Sequence, residues 1–504
     1  MDKAKVSRFL KMNSYSAGDA LGGAIPQLTS LYYLSFLLLV VEMNPFLAGL
    51  VVAIGRIWDG ITDPVMGVIV DRTRTRFGSC RPFFLLATVP IFAGNVLLWS
   101  AFGIQGQASQ FAYFTFAYMF YTSALTIGIV PYEALLPKIV DSYKERISYS
   151  SLRMIYSGIM CVLVVYIYEL MIPVSGTNPL SPAFQDKFTV MGIVIGVIFA
   201  LPLVITFFGT KEKNLPPLDL NKKSFKETLK EILVSYKQVL SSKTFRKYFY
   251  LTLLAVFISA SVLATLAIFV YVLYGNIENF VLTFTLLFVV INLKGAVEIA
   301  FFVPNVIMMK KKSKHMPYLV DLPLLAVACV IVLFVSPTTP IWLFLLAMCF
   351  LGAGFSCLGF VPMSLLPDLT DVYELMYGKR AEGINAGLNT LGKKLVSGIT
   401  VALFGFILGA FGLNSGDLTY DGGEVSSGTL TALKIMFCAL PIVASVIMVA
   451  ISRTYRLDEK RHNMIKALIL KMNETGESEA TAEEILEVEK ITGKKWEEMW
   501  IGEK

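Results

Sequence analysis

Apolar residues gather in long runs along most of the chain, and polar residues gather in short joints between them. A helix needs roughly 20 apolar residues to cross a hydrocarbon core, and run after run has that length. The first follows the basic start MDKAKVSRFLKMNSYS, where Lys3, Lys5, Arg8 and Lys11 form an inside flank with no cleavage signal, and it extends to about Leu39. The pattern predicts further spans at about 46–70, 82–102 and 111–137, a fifth beginning after Arg146, and a sixth ending near Phe208. A polar, proline-bearing joint at about 172–187 separates the last two. Residues 211–247 then turn lysine-rich and contain NLPPLDLNKKSF, which suits a linker carrying a surface helix. Six more spans are predicted at about 248–274, 281–309, 317–336, 340–367, 382–413 and 430–452.

The chain thus reads as an all-α membrane protein with twelve transmembrane helices in two six-helix halves. The expected divisions are 1–210, a cytoplasmic linker at 211–247, a second half at 248–453, and a cytoplasmic tail at 454–504. Charge sets the orientation: Arg72, Arg74, Arg76 and Arg81, Lys310, Lys311, Lys312 and Lys314, and the joint with Lys379 and Arg380 lie inside, while Asp417, Asp421 and Glu424 lie outside. Both termini are then cytoplasmic. From about Arg461 the tail alternates charge with Ile485, Leu486, Val488, Trp496 and Trp500, enough for a short amphipathic helix on a soluble appendage.

Composition removes other classes. With 504 residues, 55% hydrophobic, 16% charged and a mean hydropathy of +0.66, the chain is too apolar for a soluble domain. The six cysteines are scattered, mostly within apolar runs, and His315 and His462 are the only histidines, so no disulfide framework or metal knuckle is suggested. The net charge of +7 sits in the joints and reports orientation, not nucleic-acid binding.

Against this background, acids inside spans stand out. In GRIWDGITDPVMGVIVDRTRTRFGSCRP, from Gly55 to Pro82, Asp59 and Asp63 are four residues apart and share a helix face, with Arg56 nearby. A carboxylate in the bilayer is costly unless it meets a cation or faces a protein-lined cavity, which makes such acids functional candidates. A structural Asp–Arg lock is the alternative. Asp19, in SAGDALGG, is either an intramembrane acid or a helix cap near Ser16. Glu133 follows Pro131, which can break its helix, and points either inward as a further carboxylate or outward as an interfacial acid. Arg153 either snorkels to the headgroups or faces a central cavity, where it can pair with Asp19 or clamp a substrate oxygen.

There is also an internal repeat. VPYEALLPKIVDSY, from Val130, and VPMSLLPDLTDVY, from Val361, match with one gap at the ends of the fourth and tenth predicted spans. Parallel repeats of this kind build secondary transporters that rock around a midplane site. A channel would carry a pore motif, and an enzyme a nucleophile, base or metal cluster; none is evident.

The runs RIWDGITDP, DRTRTRFGSCRP, PYEALLP and LLPDLTDVYE, with GKRAEG, resemble the glycoside-pentoside-hexuronide:cation symporters, a melibiose-permease-like family of the major facilitator superfamily. The resemblance covers nearly the whole membrane region. It implies the major facilitator fold, a location in the bacterial inner (plasma) membrane, and uptake of a sugar, glycoside or uronide driven by a proton or sodium gradient. A related branch that moves lysolipids is the rival within the class. No cofactor is expected beyond the coupling ion, H+ or Na+. The partners implied are a small-molecule substrate and membrane lipids, with the chain acting as a monomer.

Residue by residue, the resemblance makes Asp59, Asp63 and Thr126 the coupling site, and the metal ligands if sodium is the ion. It makes Asp19 and Arg153 the substrate pair and puts Lys394 near both. Three family positions depart: an aspartate falls on Ile129, a sugar-stacking tryptophan on Glu133, and a lysine on Gly18. Glu133 is then a candidate fourth cation ligand. Tyr121 and Tyr156, with Tyr32, Trp58 and Tyr118, are candidate aromatic faces for a sugar ring. Arg72, Arg74 and Arg76 are candidates for a conformational latch.

Overall fold

A helix satisfies its own N–H and C=O groups, which is why apolar runs of spanning length fold as helices in a bilayer. The computed structural model describes residues 3–140, 143–170, 182–212, 225–274, 285–380, 382–411, 427–475 and 480–502. Linker residues 213–224, most of the polar joint near 172–187, and Asp417, Asp421 and Glu424 lie outside the described residues.

The predicted first span is divided. It contains α1 (Lys3–Ala17), α2 (Ala20–Gln27), a π turn (Leu28–Tyr32) and α3 (Tyr33–Leu39). The break at Gly18 and Asp19 is a tight turn, in which their amides donate to the carbonyls of Tyr15 and Ser16 at 3.0 and 3.1 Å. Gly18 is needed there because a Cβ would lie 2.5 Å from the Tyr132 ring.

The next helices are α4 (Pro45–Arg72), α5 (Arg81–Trp99), α6 (Gln107–Ile139), α7 (Tyr143–Glu169) and α8 (Pro182–Gly209). The amphipathic α9 (Phe225–Ser241) lies within the linker. Then come α10 (Lys243–Tyr274), α11 (Leu286–Lys311), α12 (Met316–Leu333), α13 (Ile341–Tyr377) and α14 (Glu382–Ala410). The last predicted span is α15 (Ser427–Lys434), a π turn (Ile435–Ala439) and α16 (Leu440–Arg453). Among the described residues, 11 helices are long and apolar enough to cross a membrane. Local signals fix their ends: Asn44 caps α4 by accepting from the Phe46 amide at 3.0 Å with Pro45 at the first position, and Gly378 ends α13 at φ +66. α13 runs ten residues beyond the predicted limit of 367, through Pro362 and Pro367.

The chain gathers into two compact units. The first is Met1–Lys222 with Leu263–Asn292 and Ser397–Leu433; the second is Lys223–Val262, Leu293–Val396 and Lys434–Lys504. In the first, α5 packs on α6 and α8, α4 on α6, and α2 on α7. Tyr33, Phe36 and Trp99 form its aromatic centre, with Trp99 edge-on to Phe36 at 5.2 Å. In the second, α12 packs on α13 and α16. Large apolar side chains such as Val89, Phe116, Phe208 and Val303 are left on helix exteriors, as bilayer contact requires.

The tail is not a loose appendage. Its helices α17 (Glu459–Thr475) and α18 (Ala482–Thr492) fold onto the second unit. α17 lies on α13, the Thr244 hydroxyl donates to the Ile491 carbonyl at 2.5 Å, and Trp500 packs over Gly378. The sequence showed the apolar positions of this tail, but not the surface that receives them.

Candidate functional site

Helix spacing places Asp59 and Asp63 on one face of α4, and the packing of α4 on α6 brings Thr126 to them. The Thr126 hydroxyl lies 3.2 Å from an oxygen of each carboxylate. Thr62, absent from the sequence-level candidates, lies 3.3 Å from the same hydroxyl. Thr126 is buried and the two acids are half-buried. Nearby, Trp58 donates to Ser123 at 2.7 Å and so fixes α4 against α6 one turn from Thr126. Pro64 lies inside α4 and lacks an N–H, so the Gly60 carbonyl has no helix donor from that position. A proton or a cation set between the carboxylates would relieve their repulsion. Arg56 instead donates to helix-break hydroxyls, at 2.9 Å to Thr29 and 2.8 Å to Ser30.

The second group joins α2, α6 and α7. Arg153 Nε meets Asp19 Oδ1 at 2.8 Å, and its guanidinium lies over the Tyr132 ring at 5.1 Å. Tyr132 in turn stacks on Tyr15 at 5.0 Å. Asp19 occupies the N-cap position of α2 without making a cap hydrogen bond, because its carboxylate is turned to Arg153. Of the two readings of Arg153, snorkelling gives way to pairing inside the unit. Glu133 is exposed and sits 3.9 Å from Arg153, seven residues and about 10 Å along α6 from Thr126. Tyr156, one turn from Arg153, donates to Asn13 at 3.0 Å. Tyr121 is fully buried with no partner for its hydroxyl among the described residues, and lies in the packing between α5 and α6 against Gly94. Lys394 lies on α14 in the second unit.

In the joint after α4, Arg74 donates to the carbonyls of Asp71 and Thr73 at 3.0 and 2.7 Å, and Arg76 lies over Phe77 at 4.7 Å. The stronger fastening comes from two other residues. Glu212 accepts from the backbone amides of Ser79, Cys80 and Arg81 at 2.9, 2.9 and 3.0 Å, satisfying the start of α5 from outside the helix. Arg81 donates to the Phe207 carbonyl at 2.6 Å. Burial pushes the Cys80 thiol up, against the influence of the nearby Lys138. Glu212 follows an apolar run at the head of a lysine-rich stretch, and no sequence signal ties it to a helix start 131 residues earlier.

The apolar runs hold a further acid. Asp321 lies in the apolar run PYLVDLPLL and is fully buried, a charge-bearing side chain in an apolar segment like Asp59. No group of three or more His, Cys, Asp or Glu able to hold a metal is found among the described residues.

The family model described as MFS/sugar transport protein matches residues 14–459. The chain is 25% identical to the glucuronide carrier protein homolog of Escherichia coli strain K12, over 86% of this chain and 90% of that one. It is 26% identical to sodium-dependent lysophosphatidylcholine symporter 1-A of Danio rerio, over 91% of this chain and 89% of that one. In fold it is similar to the inward-open xylose transporter XylE of E. coli, with a TM-score of 0.61, 14% identity, and coverage of 92% of this chain and 99% of that one.

Proposed function

The chain belongs to the MFS/sugar transport protein family and is a transmembrane secondary transporter, not an enzyme, and from that premise we propose that it is a proton- or sodium-driven symporter of a sugar, glycoside or uronide working by alternating access. The observation that carries this reading is the Thr126 hydroxyl set 3.2 Å from both Asp59 and Asp63. Two carboxylates held this way favour a bound positive charge, and their joint occupancy links ion binding to the state of α4 and α6. Sodium would draw on Asp59, Asp63 and Thr126, with Thr62 and the Gly60 carbonyl as further oxygens. A proton needs only one of the acids.

Asp19 and Arg153 are the proposed substrate pair, with Glu133 on the Arg153 side, Tyr156 beside it and Lys394 as the basic group of α14. Their charges hold one another before binding and turn to hydroxyls, or to a uronide carboxylate, when substrate enters. Arg72, Arg74 and Arg76 form the proposed latch on the inside face. In this reading the protein has twelve spans in two six-helix halves, both termini are cytoplasmic, the membrane is the bacterial inner membrane, and the chain works as a monomer in the manner of the glycoside-pentoside-hexuronide symporters.

Transport of a lysolipid is the second reading, favoured by the likeness to the Danio rerio symporter over nine-tenths of the chain. One experiment separates the two. Purified protein in proteoliposomes is offered labelled glycoside, glucuronide and lysolipid under an imposed sodium or proton gradient. Accumulation of a glycoside or glucuronide under either gradient is expected; gradient-driven uptake of lysolipid alone would overturn the sugar reading. If the arginine latch holds, neutralising Arg72, Arg74 and Arg76 raises cysteine labelling from the inside face, and unchanged labelling leaves those residues to topology.

A further inference from the structure

The second unit contains a buried acid that the proposed coupling site does not use. Asp321 lies in the second turn of α12, with none of its surface exposed. Its Oδ2 accepts from Asn305 Nδ2 of α11 at 2.7 Å and from Ser356 Oγ of α13 at 2.8 Å. The same Asn305 amide also donates to Ser356 Oγ at 2.6 Å. Two oxygens of this cluster, Asp321 Oδ1 and Asn305 Oδ1, are buried without a hydrogen-bond partner.

The described residues around it offer no positive charge. Asp321 makes no ion pair among the described residues, and the neighbouring titratable groups are neutral or occupied. Tyr318 on its own helix and Cys357 on α13 are fully buried. On α11, Glu298 is paired with Lys294 at 2.7 Å. The only charged residue of α16 is Arg453, exposed at its end, and the π turn before it carries only Cys438. An ionised Asp321 would therefore be a lone charge with one oxygen unsolvated in a low-dielectric interior. A proton on Oδ1 removes the charge and converts an orphan acceptor into a donor, in a cluster whose other orphan, Asn305 Oδ1, is an acceptor.

A cavity shares two of the cluster's helices. A cavity of about 470 Å³ on the side of the unit where the tail docks is lined by Val306, Phe360, Ser364, Lys314, Asp368 and His462. Val306 adjoins Asn305 in sequence, and Phe360 lies one helical turn beyond Ser356. The cavity wall thus comes within a turn of the cluster on two helices.

We infer that Asp321, held by Asn305 and Ser356, is a proton-binding site of the second unit that exchanges with water through this cavity. It is separate from Asp59 and Asp63, where two acids can share a cation. The proton passes from cavity water to Oδ1 and back, and no other bond changes.

Infrared spectroscopy of the purified protein in lipid nanodiscs tests this, whatever solute is carried. Between about pH 5 and pH 8, the wild type should show a carbonyl band of an un-ionised carboxyl that Asp321→Asn lacks. Ser356→Ala, which keeps the acid but removes one donor, should move the band, so the assignment does not depend on the folding of Asp321→Asn alone. In heavy water the band should shift within minutes, and Phe360→Trp, which narrows the cavity, should slow that shift by an order of magnitude. Absence of such a band means that Asp321 is ionised and overturns the site. A band that does not respond to heavy water means a sealed structural proton and overturns the exchange. Either failure leaves the roles of Asp59 and Asp63 untouched, since the band reports Asp321 only.

Discussion

The two units keep their acids in opposite surroundings. In the first, Asp59 and Asp63 are half-buried around one shared hydroxyl, and Asp19 holds a guanidinium beside an aromatic ring. In the second, Asp321 is buried and held by the neutral groups Asn305 and Ser356, while on the tail side Lys314 pairs with Asp368 at 2.7 Å and His462 hydrogen-bonds to Asp371 at 2.9 Å. The repeat makes the contrast sharper, because Lys138 and Asp368 occupy matching positions in VPYEALLPK and VPMSLLPD. Each fastens its helix to the joint two spans earlier with reversed polarity: Lys138 donates to Ser79 at 2.8 Å, and Asp368 accepts from Lys314. The same scaffold contact has thus been made twice with opposite chemistry. The first unit thus sets its acids around a shared hydroxyl and a guanidinium, and the second sets Asp368 and Asp371 against basic side chains.

The largest expected effect tests that division directly. Asp59→Asn or Asp63→Asn should lower gradient-driven accumulation at least about tenfold, ~1.4 kcal/mol, while substrate counterflow persists. Asp371→Asn, which disturbs the contacts to His462, Lys466 and Arg380 but neither Asp59 nor Asp63, should leave the accumulation ratio within about twofold. Equal losses in both would erase the distinction.

Next comes the substrate pair. Arg153→Lys keeps the charge but loses the planar fork toward Asp19, so binding of the transported solute to purified protein should weaken about tenfold with normal folding. Unchanged affinity in both Arg153→Lys and Asp19→Asn would reduce the pair to a structural lock like those of the second unit.

The fixed contacts should register in stability instead. A double-mutant cycle on Lys314 and Asp368, read from thermal unfolding in detergent, should give a coupling of about 1 kcal/mol. Exchanging the two charges should recover part of it. In the first unit, Glu212→Gln should destabilise by about 1–2 kcal/mol, because the buried amides of Ser79, Cys80 and Arg81 lose a charged acceptor. If Glu212→Gln had no effect, the start of α5 would have to be held by its own turn.

The smallest effect lies in the tail. Hydrogen bonds from Arg461 and then Lys490 hold the Glu487 carboxyl below its usual range. Its contribution to tail packing is therefore present above the ordinary glutamate value of about 4.3 and is lost as pH falls through the lowered folded value. Fluorescence of Trp496 and Trp500 should report a slight loosening only in that acidic window, and Glu487→Gln should remove the dependence.

Much of this was legible without a structure. The spans could be read because the bilayer demands long apolar helices, a one-dimensional signal that needs no knowledge of neighbours. Asp59, Asp63, Asp19 and Arg153 could be read because a charge in an apolar run is conspicuous, and Asp321 could have been found in the same way. What the residues by themselves left open was the partner of each charge. Arg153 was equally consistent with snorkelling until α7 was packed against α2. Gly18 could be seen as a break only once Tyr132 came against it. Glu212 and the docked tail depend on contacts between residues more than a hundred positions apart. Hydropathy is a property of a segment and is written along the chain, so the sequence determined which stretches enter the membrane and which charges enter with them. Pairing, burial and access are properties of distances between segments, and only the tertiary structure decided those.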